Sequence, residues 1–220
     1  MVNFVTFELI PSVFEIIDSF SINHLGSSGA FFDIRKLDWI NQQYLINSIP
    51  ENELWDHIKK WSFSDEKMAA IMPIVHTRIK TFGDFIDLCS FLFINHIDYQ
   101  LDTLCPKQIT KEQSTYILQA MIWNMESKDS WDSKGFEAAS HHVSQVFGVH
   151  HKKIVMLILF AAITGKHHGP PLFASVDILG KDRTRARLLQ AINFLGGISN
   201  KKLSHLKACW DTQNCKTLFD

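Results

Sequence analysis

Apolar residues recur at helical spacing along almost the whole chain. Val13, Phe14, Ile17 and Phe20 fall on one face of a helix beginning near Pro11, a position where a first-turn proline is tolerated. The Ser- and Gly-rich "SINHLGSSGAF" then reads as a loop. Leu37, Ile40, Tyr44 and Ile49 make the stripe of a second helix, with Asp33 placed to cap it. "PENELWDHIKKW" predicts a third. Ser64 followed by Asp65 and Glu66 starts a fourth, which Pro73 should kink or end early. Thr81 and Asp84 stand three residues apart, as in a capping box, before "DFIDLCSFLF".

The second half continues in the same way. "KEQSTYILQAMIWNM" is helical, "ESKDSWDSKG" reads as a charged linker, and "FEAASHHVSQVFGV" is a helix that Gly148 can end. "KKIVMLILFAAIT" is a buried helix closed by Gly165, and "PLFASVDIL" is a short one with Gly180 behind it. "KDRTRARLLQAINFL" runs to Gly196-Gly197, and "NKKLSHLKACW" makes a last helix. No stretch alternates convincingly with period two, and no segment repeats. The fold class is therefore all-α, built from short helices in more than one helical subdomain.

Composition refines this picture in one respect. With 46% hydrophobic and 20% charged residues, the 220-residue chain is that of an ordinary soluble protein with ample length for a core. Its net charge of -1 hides an asymmetry. Residues 1–150 hold 11 Lys and Arg against 19 Asp and Glu, whereas residues 151–220 hold 11 against 4. A basic final third points weakly to an anionic partner. Cys89, Cys105, Cys209 and Cys215 form no Cys-x-x-Cys pair, which suits a reduced, cytoplasmic chain. The apolar run Ile154–Gly165 is shorter than the roughly 20 residues a bilayer needs, and the N-terminus carries no signal pattern. A monomer with no membrane partner is expected.

Candidate chemistry is sparse. The pairs His141-His142, His150-His151 and His167-His168 are adjacent, so on a helix they point about 100° apart and do not chelate together. Cys89 sits in "DLCSFL", a core-like setting. No carboxylate pair stands out for acid–base work, and no Gly-rich phosphate loop is present. No catalytic, cofactor or metal residue is expected here. "TGKHHGPPLF" remains. Pro170 and Pro171 fix φ at two successive positions, and Gly169 before them is pushed to extended geometry. The result is a stiff turn that holds its backbone groups at set positions.

Three stretches then line up, in order, with one family. "FFDIRKLDWINQQYL" resembles the Phe-Asp-x-x-Lys-Leu-x-Trp-x-Asn-x-x-Tyr segment of bacterial glutamyl-tRNA synthetases. "TRIKTFGDFIDLCSFLF" resembles their Arg-x-Lys-Thr turn followed by a helix ending in aromatics. "TGKHHGPPLFASVDILGKDRTRARL" resembles their Thr-Gly-x-x-x-x-Pro-Pro-Leu-Phe segment with its following Leu-Gly-Lys-[Asp/Glu]-Arg. The resemblance covers roughly residues 10–195. The family's His-Ile-Gly-His and Lys-Met-Ser-Lys types of ATP signature are absent from these residues.

The resemblance implies the C-terminal, tRNA-contacting part of such a ligase, inactive alone, with ATP and magnesium handled in a catalytic domain elsewhere. It implies the end of a stem-contact domain over 1–48 and anticodon-binding subdomains over 49–112 and 113–220. Arg78 falls where the family meets the third anticodon base, and Lys80 and Thr81 extend that turn. Gly169, Pro170, Pro171 and Leu172 fall in the loop presented to unstacked anticodon bases, with Lys166 available beside it; Phe173 is read as core. Lys36 lies near the inner corner of the tRNA, and Trp39 beside it is read as packing. Lys181 and Arg183, with Arg185 and Arg187, form a basic stretch suited to phosphate. Phe160 stands where family members often carry an arginine. The alternative is a non-catalytic helical adaptor using aromatic stretches such as "DLCSFLFINHIDYQ" as a protein-binding surface.

Overall fold

The structure, a computed structural model, describes residues 13–21, 33–128 and 131–219. Among them there are eleven α-helical segments and no strand. They divide into two compact units, residues 1–61 and 62–220.

The first unit holds α1 (Val13–Ser19), α2 (Ile34–Ser48) and nearly all of α3 (Glu51–Ser62). Asp33 caps α2 as its position predicts, its carboxylate accepting the Arg35 N–H at 3.0 Å. Pro11 and the loop over 22–32 lie outside the described residues. Trp39, expected to pack, is 56% exposed, and Leu37 and Tyr44 of the expected stripe are exposed as well.

The second unit begins with α4 (Asp65–Val75), capped by Ser64, whose hydroxyl accepts from the Lys67 N–H. Pro73 lies in its last turn, and the helix ends two residues later. Next come α5 (Asp84–Cys89), a 3₁₀ turn over Ser90–Leu92, and the short α6 (Leu101–Leu104). The helix α7 (Lys111–Glu126) opens with a reciprocal Thr110–Gln113 capping box. The "charged linker" after it is anchored: Trp131 is buried, and Asp132 caps α8 (Ser133–Phe147) by accepting the Gly135 N–H. Gly148 ends α8 at φ 68°. A π-helical turn over His151–Val155 leads into α9 (Met156–Thr164).

Ile158, Leu159, Ala161, Ala162 and Ile163 of α9 are buried, so this helix is wrapped by neighbours rather than seated on one face. It packs against α6, α7 and α10 (Leu172–Phe194). That burial on most sides, with Leu157 alone in the helix exposed, explains why its sequence is apolar without a stripe. Within α10, Gly180 takes φ 74° and ψ 173°, a region open in practice to glycine alone, and breaks the helix where the sequence predicts two. The chain closes with α11 (Asn200–Asp211) and a 3₁₀ turn over Lys216–Leu218.

Arg187 is the largest surprise in the core. Only 2% exposed, its guanidinium donates to the carbonyl oxygens of Phe91, Ile94 and Ile163. Tyr99 directs its hydroxyl at the Ala162 carbonyl, 2.8 Å away, and the Arg187 carbonyl, 3.1 Å away. These side chains fasten the end of the α5 region, whose carbonyls a 3₁₀ turn leaves unpaired, to α9 and α10. Burial lowers the Arg187 pKa only to about 10, so it stays charged at neutral pH. The stretch that an adaptor would have used as a surface is thus interior: Cys89, Phe91, Leu92, Ile97 and Tyr99 are buried. Burial pushes the Cys89 thiol up to about 11, as befits a core thiol rather than a nucleophile.

Candidate nucleic-acid interface

The turn between α4 and α5 spans residues 76–83. It starts with the Arg78 and Ile79 N–H groups bonded to the Val75 carbonyl, at 2.8 and 3.2 Å. Its far side is fixed by one carboxylate. Asp84 accepts the Lys80 N–H at 2.7 Å, the Thr81 N–H at 2.9 Å and the Thr81 hydroxyl at 3.0 Å. Thr81 therefore donates to Asp84 instead of accepting from the helix, so the pair is a clamp on the turn and not the expected capping box. The Thr81 and Lys80 N–H bonds hold the Asp84 carboxyl below the usual carboxylate range. Arg78, Lys80 and Thr81 are all exposed, and the Arg78 guanidinium donates to Thr77 Oγ1 at 3.5 Å.

The second segment is the loop from Gly165 to Pro171. Gly165 sits at φ 73°, and a Cβ there would lie 2.5 Å from Ile97 Cγ2, so no other residue fits. The Thr164 hydroxyl donates to the Phe160 carbonyl and accepts the Lys166 N–H. Pro170 and Leu172 are buried, whereas Pro171 is exposed and its carbonyl accepts from Ser175 N–H and Oγ, closing the first turn of α10. Phe160 lies beneath the loop, since a Cβ at Gly169 would meet its Cζ at 3.2 Å. The Phe160 ring thus supports the loop from inside.

The loop meets α5, the helix that follows the turn. The Lys166 ammonium donates to the Asp87 carbonyl of α5. Between them lies a cavity of about 140 Å³ lined by Asp87, Leu88 and Phe91 on one side and by Lys166, His168, Gly169 and Pro170 on the other.

The basic stretch is less united than the sequence suggests. Arg183 turns inward, donating to the carbonyls of Leu92 at 3.0 Å and Ile94 at 3.1 Å; Arg187 is buried; and Arg185 pairs with Glu126 at 2.7 Å. Arg183 and Arg187 share a face as expected, but it is the core-facing one. Lys181 is exposed, its ammonium 5.8 Å from the centre of the Trp131 ring. Lys36 is exposed on α2, in the first unit. Sequence reasoning missed two residues at the turn. One is Asp84 as its clamp, signalled by a carboxylate three and four residues after the groups it binds. The other is Phe82, the apolar position following Thr81. Among the described residues, no three His, Cys, Asp or Glu side chains are grouped to hold a metal ion, and no single helix is long and apolar enough to cross a membrane.

Residues 53–192, which include the turn, the cavity and the loop, match the anticodon binding domain family. The chain belongs to that family. As an anticodon-binding domain, it is 53% identical over 210 residues to a glutamate–tRNA ligase of Protochlamydia amoebophila, covering 96% of this chain and 42% of that protein. It is 42% identical over 194 residues to a glutamate–tRNA ligase of Chlamydia trachomatis, covering 88% and 38%. A solved glutamate–tRNA ligase from Elizabethkingia meningosepticum aligns with a TM-score of 0.53 at 26% identity, over 84% of this chain and 37% of that one. The chain thus spans about two fifths of the length of the curated relatives it matches.

Proposed function

We propose that this chain is the tRNA-recognising part of a glutamate–tRNA ligase and that it reads the anticodon of a glutamate tRNA. One observation carries the reading. The Lys166–Asp87 bond joins the proline-set loop to α5, the helix that the Arg78 turn leads into, beside a cavity of about 140 Å³ lined by the loop and by α5 and the turn after it. Roughly that volume holds one six-membered ring, so the site suits an unstacked base. Arg78 supplies a planar, permanently charged fork for a base edge or a phosphate. Lys80, Lys166 and Lys181 add positive charge, and Gly169, Pro170, Pro171 and Leu172 set the backbone beside the cavity. Arg183 contributes by holding the Leu92 and Ile94 carbonyls, in the segment that follows the cavity-lining Phe91. Lys36 belongs to the contact with the tRNA body. Activation of glutamate, with ATP and magnesium, is assigned to residues outside these 220.

The test is a titration of the chain against a glutamate tRNA transcript and an anticodon-changed one, at two salt concentrations. Preference for the native anticodon, weakening steeply with salt, supports the reading. Arg78→Ala should cost about 1–3 kcal/mol of tRNA binding and leave the fold intact. Equal affinity for both transcripts would reject anticodon reading.

A further inference from the structure

We infer that Phe82 is a stacking platform for an unpaired base of the bound RNA loop. This rests on the anticodon-binding reading and adds to it a residue and a mode of contact. Phe82 is 95% exposed, the most exposed large apolar side chain among the described residues. Such exposure in a single residue is ordinary in itself; the setting is not. Phe82 follows two consecutive residues, Lys80 and Thr81, whose N–H groups are bonded to the Asp84 carboxylate, which also accepts the Thr81 hydroxyl. Its own carbonyl accepts the Phe85 N–H at 3.2 Å, tying it to the first turn of α5. The ring is therefore carried outward on a fastened backbone.

The chemistry around it selects the occupant. Arg78 and Lys80 are cationic and exposed, whereas the charge of Asp84 is drawn back onto the turn by three donors. An aromatic face flanked by cations on a positioned turn matches the way proteins hold single-stranded nucleic acid, with a base on the ring and phosphates on the cations. An apolar protein partner would instead be served by any side chain of similar area, so the π-face is the property to test.

The experiment compares the 220-residue chain and its Phe82→Ala, Phe82→Leu and Phe82→Trp variants. Each is titrated with anticodon stem-loop RNA of a glutamate tRNA, in native and anticodon-changed forms, at two salt concentrations. Because the side chain is solvent-exposed, thermal unfolding should be unchanged in all three. Ala and Leu should weaken native-RNA binding by about 5- to 150-fold and leave the salt slope unaltered, while Trp retains the affinity. Full affinity in the Leu variant, or in all three, would overturn stacking. If the wild-type chain separates native from changed anticodon while Phe82→Ala binds normally, only this inference falls. If the wild-type chain binds both RNAs equally or neither, the anticodon-binding reading falls, and the stacking platform with it.

Discussion

A Cβ built on Gly169 would stand 3.2 Å from Cζ of Phe160. The loop is thus seated on the ring with no spare room. Gly169→Ala should overpack this contact and cost about 1 kcal/mol of stability. It should weaken RNA binding at the same time by shifting the loop. Combining it with Phe160→Leu should restore part of both losses. Urea unfolding and RNA titration of the two single variants and the double variant measure the coupling; strict additivity would show that the two positions do not touch energetically.

The clamp at Asp84 predicts a separation of stability from binding. Asp84 is half-buried and its bonds go only to Lys80 and Thr81 of the same turn, so Asp84→Ala should change thermal unfolding little. It should nevertheless lower RNA affinity by roughly 1 kcal/mol, the cost of ordering a freed turn on binding. The pH dependence has a definite sign. Bonds from Thr81 and Lys80 lower the folded pKa. The clamp's contribution is therefore complete above the unfolded value of about 3.9 and is lost as pH falls through the depressed folded value. Binding measured between pH 5 and 7 should show no titration from this group.

Arg187 should be among the most sensitive positions in the second unit. Arg187→Met fills similar space but leaves the carbonyls of Phe91 and Ile163 without this donor, whereas the Ile94 carbonyl keeps the Arg183 guanidinium. Each unsatisfied buried acceptor costs about 1–3 kcal/mol, so a loss of about 2–5 kcal/mol is expected in urea unfolding. Arg187→Lys, with one ammonium for three diverging acceptors, should fall between the two. A loss below 1 kcal/mol for Arg187→Met would contradict this role.

His151 should contribute a mild acid sensitivity. Its ring stacks on His141 with centres 3.7 Å apart, and its Nε2 lies 2.9 Å from Ser140 Oγ. Burial, then the neighbouring His141, lowers its pKa; Lys152 and His150 act the same way, while Glu137 opposes them. The unfolded chain therefore takes up this proton first. Stability from the group is complete above about pH 6.5 and falls as pH drops through the folded pKa. Between pH 7.5 and 5.5 the wild type should lose more thermal stability than His151→Gln.

Most helix ends were legible because their signals are local. Asp33, Ser64, Gly148 and Gly165 act through their own or the next few residues, and each caps where its position predicts. Gly180 was legible too, as the break between two helical patterns. What the sequence could not show depends on distant partners. Arg183 and Arg187 look like any basic helix face until the carbonyls of residues 91–94 are brought beneath them. Trp131 sits among charges in the sequence but is buried, and Trp39, read as packing, is exposed. The Arg78 turn and the proline loop were legible separately. The bond from Lys166 of the loop to Asp87 of α5, behind the turn, spans 79 residues and could not be read from either motif.

The bond from Arg187 to the Phe91 carbonyl has a consequence for the order of events during synthesis. Its two ends are 96 residues apart. At roughly 5–20 residues per second, a ribosome needs on the order of 5–20 s to deliver Arg187 after Phe91 has been made. Through that interval, the segment behind the Arg78 turn has its helices but not its fastening. The surface proposed to face RNA is therefore among the last parts of the nascent chain to take its final shape, although the Arg78 turn is translated well before the loop.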